Sequence, residues 1–179
     1  ELLKEKGELE NTIVVVTSDN GMPFPYAKAN LQEYGIHVPL VVSVPNGIKG
    51  RTVTDLVSLI DLAPTLLELS GQPALDNTTG ISLAHYVDKK SPSSKAMARK
   101  MVLTGRERHS HSRPDNLGYP ARAIRTSQYL YIKNYHTERW PLGDPAPAVA
   151  TDLKGNKDMK PIVEGYEDID NSPTKSILI

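Results

Sequence analysis

The sequence contains no cysteine. A disulfide, a thiolate metal site and a cysteine nucleophile are therefore excluded within these 179 residues. Phenylalanine and tryptophan occur only once each. No apolar run approaches the roughly 20 residues that a membrane-spanning helix needs. We therefore expect no membrane partner.

Neither sign of charge dominates. Lys+Arg and Asp+Glu both number 21, which gives a formal net charge of +0. A chain without excess positive charge has no overall attraction to nucleic acid or to an anionic membrane, so neither is expected as a partner. Hydrophobic residues make up 39% of the chain and charged residues 23%, the balance of a folded globular protein.

Apolar strands and helices alternate in the first half of the sequence. Residues 1–7 read as the end of an amphipathic helix that closes at Gly7. Residues 12–17 and 38–45 are nearly continuous apolar runs, typical of strands covered on both faces in a parallel or mixed sheet. Residues 61–69 predict a helix capped by Asp61. Residues 1–90 are thus predicted to be the end of an α/β core.

The second half predicts a smaller α+β subdomain with antiparallel strands, over residues 91–179. The chain from Met101 begins as a strand and runs into a basic, histidine-bearing loop, and residues 121–134 read as a hairpin around 126–128. Prolines, glycines and charges dominate from Trp140 onward, which predicts irregular structure. The chain starts within a helix pattern and ends on an apolar triplet, so we expect a piece of a longer protein.

Polar residues stand where the strand at 12–17 ends. Asp19 supplies a charged oxygen and Asn20 a neutral one, and both are donors that suit Ca²⁺ or Mg²⁺ better than Zn²⁺. Ligand sites of open α/β sheets gather at such strand ends. Gly21 lets the backbone turn sharply beside an ion. The alternative is an ordinary turn, since the same residue types favour turns.

Lys28 is the only charged residue between Asp19 and Glu33. A lysine close to a divalent cation is unfavourable unless an anion lies between them. This favours a sulfate or phosphate held by the metal and the ammonium together. The alternative is a solvated surface lysine.

The stretch "TSDNGMPFPYAKANLQEYGIHVPLVV", with "VSLIDLAPTLLELSG" downstream, resembles the sulfatase family of the alkaline phosphatase superfamily. The branch it is most similar to contains heparan N-sulfatase-like enzymes and bacterial glycosaminoglycan sulfatases. The later "LTGRERHSHSRPDNLGYPARAIRTSQYLYIKN" and "DIDNSPTKSILI" also resemble that branch. The resemblance implies that Asp19 and Asn20 are Ca²⁺ ligands and that Lys28 contacts the sulfate oxygens in catalysis.

The resemblance also implies a formylglycine nucleophile, which the family makes from a Cys or Ser in a Cys-x-Pro-x-Arg type of motif. This chain has no such motif, since "SPSSK" lacks the proline and "SRPDN" lacks the final arginine. We therefore interpret the chain as the C-terminal portion of a sulfatase. By itself it is expected to be inactive, and the nucleophile is expected in the N-terminal half.

The stretch Arg106-Glu107-Arg108-His109 begins a basic loop, in which Glu107, Arg108 and His109 are the candidate substrate contacts. One interpretation is a solvated charged loop. The other is a substrate subsite, because arginine binds carboxylates or sulfates and glutamate accepts from sugar hydroxyls. The resemblance supports contacts with a sulfated carbohydrate. Tyrosines at 129, 131 and 135 recur along a strand, and we expect them to pack in the sheet rather than to form a carbohydrate-stacking platform.

Two other functions remain open. A phosphoesterase of the same superfamily would typically carry histidine at position 20 for zinc, whereas Asn20 suits calcium. A non-catalytic module that binds sulfated carbohydrate would not need calcium. The resemblance implies a secreted, periplasmic or lysosomal location. An exposed sheet edge at residues 12–17 is expected to allow self-association.

Overall fold

The computed structural model describes residues 1–91, 99–110 and 113–139. Within them, the α-helices are α1 (Leu2–Glu5), α2 (Glu33–Ile36), α3 (Leu62–Leu69) and α4 (Ala84–Val87). The strands are β1 (Val14–Thr17), β2 (Leu40–Ser43), β3 (Met101–Arg106), β4 (Ala121–Thr126) and β5 (Leu130–Asn134). Short 3₁₀ turns span Leu9–Asn11, Leu59–Asp61 and Pro114–Asn116. The predictions for the stretch from Trp140 onward, including "DIDNSPTKSILI", lie outside the described residues.

The chain divides into two compact units. The first comprises Glu1–Thr17 and Pro39–Val102, and the second contains Ser18–Val38 with the residues that follow Val102. The polar segment after β1 therefore packs with the C-terminal part of the chain. The predicted domain boundary after residue 90 stays a prediction.

In the first unit, β1 and β2 form an antiparallel pair, with Val14 opposite Ser43 and Val16 opposite Val41. The predicted mixture of helices and sheet with antiparallel strands is confirmed. The antiparallel pairing was predicted for the second half, however, whereas a parallel or mixed sheet was predicted for the strands that pair here. β2 begins only after Pro39, which has no N–H to donate to a ladder. The expectation that both faces of these strands are covered is wrong here, because Val16 and Val41 are more than half exposed.

Asp61 is a buried carboxylate that links several segments of the first unit. The sequence predicted it as a helix cap, and α3 does begin at the next residue. Its carboxylate, however, accepts the backbone N–H groups of Ser58 and Ile81, each at 2.8 Å, and pairs with Arg99. α3 ends as predicted before Gly71, whose φ of +70° is a left-handed conformation.

The second unit contains the predicted hairpin. β4 and β5 pair antiparallel with Ala123 opposite Ile132, and β3 lies on the other side of β4. The inward face of β4 carries small apolar residues because the loop and α2 pack against it. The core of this unit comprises Leu31, Ala121 and Ala123, with Ile36, Leu130 and Ile132 packed around it.

The tyrosines of the hairpin lie outside this core. Tyr129, Tyr131 and Tyr135 are 73%, 63% and 52% exposed. Leu130 and Ile132 alternate with them and face the core, so the tyrosines occupy the opposite side of the strand. The expectation that they pack in the sheet is therefore wrong in this structure.

Candidate functional site

The turn after β1 carries Asp19 and Asn20. Ser18 Oγ donates to the backbone oxygen of Asn20 at 2.7 Å, and Asn20 Nδ2 donates to the oxygen of Gly21 at 2.8 Å. Asp19 is exposed and Asn20 is half-buried. Since the Asn20 amide donates through its nitrogen, its oxygen is the atom suited to a cation. The turn thus offers one carboxylate and one amide oxygen at adjacent positions.

Two glycines fix the loop that follows. A Cβ on Gly21 would lie 2.2 Å from the backbone oxygen of Tyr34, and one on Gly35 would lie 2.3 Å from the backbone oxygens of both Ala27 and Asn30. No side chain fits at such distances, so glycine is required at both positions by close backbone approach. The backbone at Gly21 and the backbone at residues 27 and 30 therefore both pack closely against α2.

Two hydrogen bonds that involve the Lys28 backbone close the loop around this residue. The Lys28 N–H donates to the oxygen of Met22 at 2.9 Å, and Asn30 Nδ2 donates to the oxygen of Lys28 at 3.0 Å. This closure brings the backbone of Lys28 beside Met22, two residues after Asn20. Lys28 itself is half-buried. The hydrogen bonds therefore return the backbone of residue 28 to the start of the loop, although residue 28 lies eight positions after Asn20 in sequence.

Arg106, the last residue of β3, contacts the same loop. Its Nη1 donates to the backbone oxygen of Ala29 and lies 3.3 Å from Asn30 Oδ1. Ala29 has a φ of +61°, which a residue with a Cβ adopts only when its surroundings hold it there. The sequence marked the basic run that contains Arg106 but gave no signal that its side chain reaches residues 29 and 30.

A second arginine holds α2. Arg125 Nε and Nη2 donate to the two carboxylate oxygens of Glu33 at 2.8 and 3.2 Å, a bidentate pair. These hydrogen bonds lower the pKa of Glu33 and raise that of Arg125. Arg125 therefore anchors α2 to the hairpin of β4 and β5.

The predicted substrate residues lie on the exposed loop after β3. The Glu107 carboxylate pairs with Arg122, and its backbone oxygen accepts from the Tyr119 N–H at 2.7 Å. Arg108 Nη1 donates to the oxygen of Asn116 at 2.8 Å. His109 is exposed. The start of this loop is therefore ordered by its own contacts, and the second histidine of the run, at position 111, lies outside the described residues.

Within residues 1–91, 99–110 and 113–139, no group of three or more His, Asp or Glu side chains is close enough to hold a metal ion. The adjacent Asp19 and Asn20 supply two oxygen donors of the kind that calcium prefers. In the same part of the chain, no helix has the length and apolar character to cross a bilayer.

Comparison with known proteins points to one family. Residues 1–72 match the family model described as Sulfatase. The chain is 30% identical over 139 residues to an ulvan-active sulfatase of Formosa agariphila, covering 76% of this chain and 21% of that protein. It is 31% identical over 136 residues to the N-sulphoglucosamine sulphohydrolase of Homo sapiens, covering 74% of this chain and 26% of that protein.

Another sulfatase and a solved enzyme structure are also similar to this chain. The arylsulfatase K of Canis lupus familiaris is 35% identical over 85 residues, covering 45% of this chain and 16% of that protein. A solved phosphonate monoester hydrolase from Silicibacter pomeroyi has a TM-score of 0.52 at 22% identity, covering 84% of this chain and 34% of its own. The fold is shared with that enzyme. The chain spans about a fifth to a quarter of the length of the first two relatives.

Proposed function

Since the chain belongs to the sulfatase family, we propose that it forms part of a calcium-dependent sulfatase. The substrate would be a sulfate ester or N-sulfate of a glycosaminoglycan-type sugar. Relatives named for ulvan and for N-sulphoglucosamine support a sulfated carbohydrate as the substrate class. By family resemblance, we extend the proposal to a secreted, periplasmic or lysosomal location.

Asp19 and Asn20 would hold the calcium ion. The donor chemistry fits, because a carboxylate and an amide oxygen are hard ligands and neither is a nitrogen or sulfur atom that zinc prefers. The exposure of Asp19 leaves its carboxylate accessible. When bound, calcium would supply positive charge that opposes the negative charge of the sulfate group.

Lys28 would contact the sulfate oxygens. The observation that carries this proposal is the closed loop, in which the 2.9 Å bond from the Lys28 N–H to Met22 draws residue 28 back to the turn of Asn20 and Gly21. An ammonium beside a hard cation is stabilised by an anion between them. The Lys28 ammonium would stabilise the transition state as negative charge develops on the sulfate oxygens.

Glu107, Arg108 and His109 would contact the sugar. Their exposure and their position on one ordered loop support this role. Glu107 would accept a sugar hydroxyl through its carboxylate while it keeps its ion pair with Arg122. The pair would then orient the carboxylate toward the substrate.

The first test replaces Lys28 with alanine in the full-length enzyme that carries this sequence. We expect kcat on a sulfated sugar to fall by about 100-fold, on the scale of losing one donor to a developing negative charge. Lys49, which is exposed, provides the matched control K49A and should keep the kcat of the wild type. An unchanged kcat in K28A would contradict the role of Lys28.

Metal analysis separates this function from the alternatives. Calcium titration of the full-length enzyme should show a site that D19A weakens, and the purified enzyme should contain calcium rather than zinc. Zinc at the site would favour a phosphoesterase, and binding of sulfated sugar without calcium would favour a non-catalytic module. The 179 residues alone lack the motif for the nucleophile and should not hydrolyse an aryl sulfate.

A further inference from the structure

Arg106 links the loop of Lys28 to a strand that lies 77 positions away in sequence. Its guanidinium donates to the carbonyl of Ala29, directly after the lysine, and lies within hydrogen-bond distance of the Asn30 side chain. Asn30 in turn donates to the carbonyl of Lys28 at 3.0 Å. Arg106 therefore contacts both residues that follow Lys28.

The conformation that Arg106 holds is unfavourable in isolation. A φ of +61° brings the Cβ of Ala29 close to its own backbone, and only glycine adopts this region freely. The bond to Arg106 favours the conformation in which the Ala29 carbonyl faces the guanidinium. If that bond were lost, the alanine would favour negative φ values, and the peptide that bears Lys28 would rotate.

The backbone of Arg106 also reaches the proposed sugar-binding loop. Its carbonyl accepts from Arg122 Nη1 at 3.3 Å, and Arg122 pairs with Glu107. Arg106 thus contacts both the loop that carries Lys28 and the loop that carries the proposed sugar contacts. Through these contacts, Arg106 helps to fix the Lys28 loop relative to the sugar-binding loop.

We propose that Arg106 is a positioning residue, which holds Ala29 in its left-handed conformation and so directs the Lys28 ammonium at the sulfate group. This inference rests on the proposed function of Lys28. Arg106 itself would not touch the substrate. The competing interpretation is that Arg106 only stabilises the fold.

The test is a double-mutant cycle in the full-length enzyme. R106Q should lower kcat by about 100-fold with little change in KM, because displacing a catalytic group by about an ångström has effects of that size. In the A29G background, the same R106Q substitution should cost only about tenfold, since glycine adopts a positive φ without help. A purely structural arginine would show the same loss of kcat in both backgrounds, and that result would overturn the inference.

Amide hydrogen exchange gives a readout that does not depend on turnover. R106Q should accelerate exchange of the Lys28 and Asn30 amides, which donate to Met22 and Ala27. R139Q is the matched control, because Arg139 also donates to a backbone carbonyl, that of Gly118, at 2.7 Å. R139Q should leave both kcat and this exchange as in the wild type.

The outcomes separate the two proposals. If K28A keeps full activity, the proposed function of Lys28 fails, and the inference about Arg106 fails with it. If K28A is impaired but R106Q matches the wild type in kcat and exchange, only the role of Arg106 is refuted. Impairment of both variants, with a smaller effect of R106Q in the A29G background, supports both proposals.

Discussion

Replacing Asp61 with asparagine should destabilise the first unit strongly. The side chain is 1% exposed, and both of its oxygens are engaged. An asparagine keeps one oxygen but replaces the other with an NH₂ group. If the retained oxygen serves Ile81 and Arg99, the NH₂ group faces the N–H of Ser58, and two donors then oppose each other.

The size of the effect follows from two losses. A buried N–H without an acceptor costs about 1–3 kcal/mol. Arg99, whose side chain is only 18% exposed, loses the charge that balances its guanidinium. Losing one partner of a fully buried pair costs about 3–5 kcal/mol, and an exposed pair contributes less than about 1 kcal/mol. Because Arg99 lies between these cases, we expect a total destabilisation of about 3 kcal/mol.

Urea denaturation of the 179-residue chain, followed by circular dichroism, measures this change. With an m-value of about 2 kcal/mol/M, the midpoint should fall by about 1.5 M. D55N is the matched control in the same unit, because Asp55 is exposed and accepts from the Tyr86 hydroxyl in a surface contact. Its expected cost is about 0.5 kcal/mol. Equal urea midpoints for D61N and D55N would refute the assignment of Asp61 as a buried carboxylate that links several segments of the first unit.

Two further predictions concern the second unit. G35A should cost about 1–3 kcal/mol in urea denaturation, because its Cβ would meet backbone oxygens of Ala27 and Asn30 that have no flexible end to move; a neutral midpoint would contradict the close packing. E33Q should cost about 0.5 kcal/mol at neutral pH, since the pair with Arg125 is partly exposed. The pKa of Glu33 is lowered, so its contribution is present above the ordinary value of 4.5 and is lost as pH falls through the folded value. The wild type and E33Q should therefore converge in stability under acid conditions, and a difference that persists there would count against the ion pair.

Local pattern predicted the elements that depend on neighbouring residues. The hairpin followed from two strand-like runs around a short polar turn, and Thr126 and Tyr129 close that turn with a 2.8 Å backbone bond. The end of α1 followed from Gly7, which has a φ of +73°. In both cases the residues that fix the structure lie within a few positions of each other.

Contacts between distant residues were not predictable in this way. The segment 18–36 contains α2, which Arg125 holds from 92 positions away. Asp61 was identified as a cap, but its partners Ile81 and Arg99 lie 20 and 38 positions along the chain. Strand alternation placed the three tyrosines on one face, but it could not tell which face packs inward.

For the candidate site, the sequence identified the residue types, and the structure adds the contacts that close the loop around Lys28. Asp19, Asn20 and Lys28 were recognised by residue type and by resemblance, and their roles stay predictions. Gly35 was not singled out, and Arg106 was noted only as the start of a basic loop, because their effect depends on backbone atoms that approach only in the folded chain. Only a structure shows which atoms a side chain at a glycine position would contact, so the sequence alone could not predict the tight packing at Gly35.

The contact of Gly21 and Gly35 with each other's segments has a consequence for how the loop can open. Because Gly21 and residues 27 and 30 all pack against α2, we expect displacement of α2 to loosen both parts of the loop together. Local opening of such a segment is a single cooperative event rather than two independent ones. If Asp19, Asn20 and Lys28 hold calcium and sulfate as proposed, calcium release and loss of sulfate affinity should share one midpoint on heating.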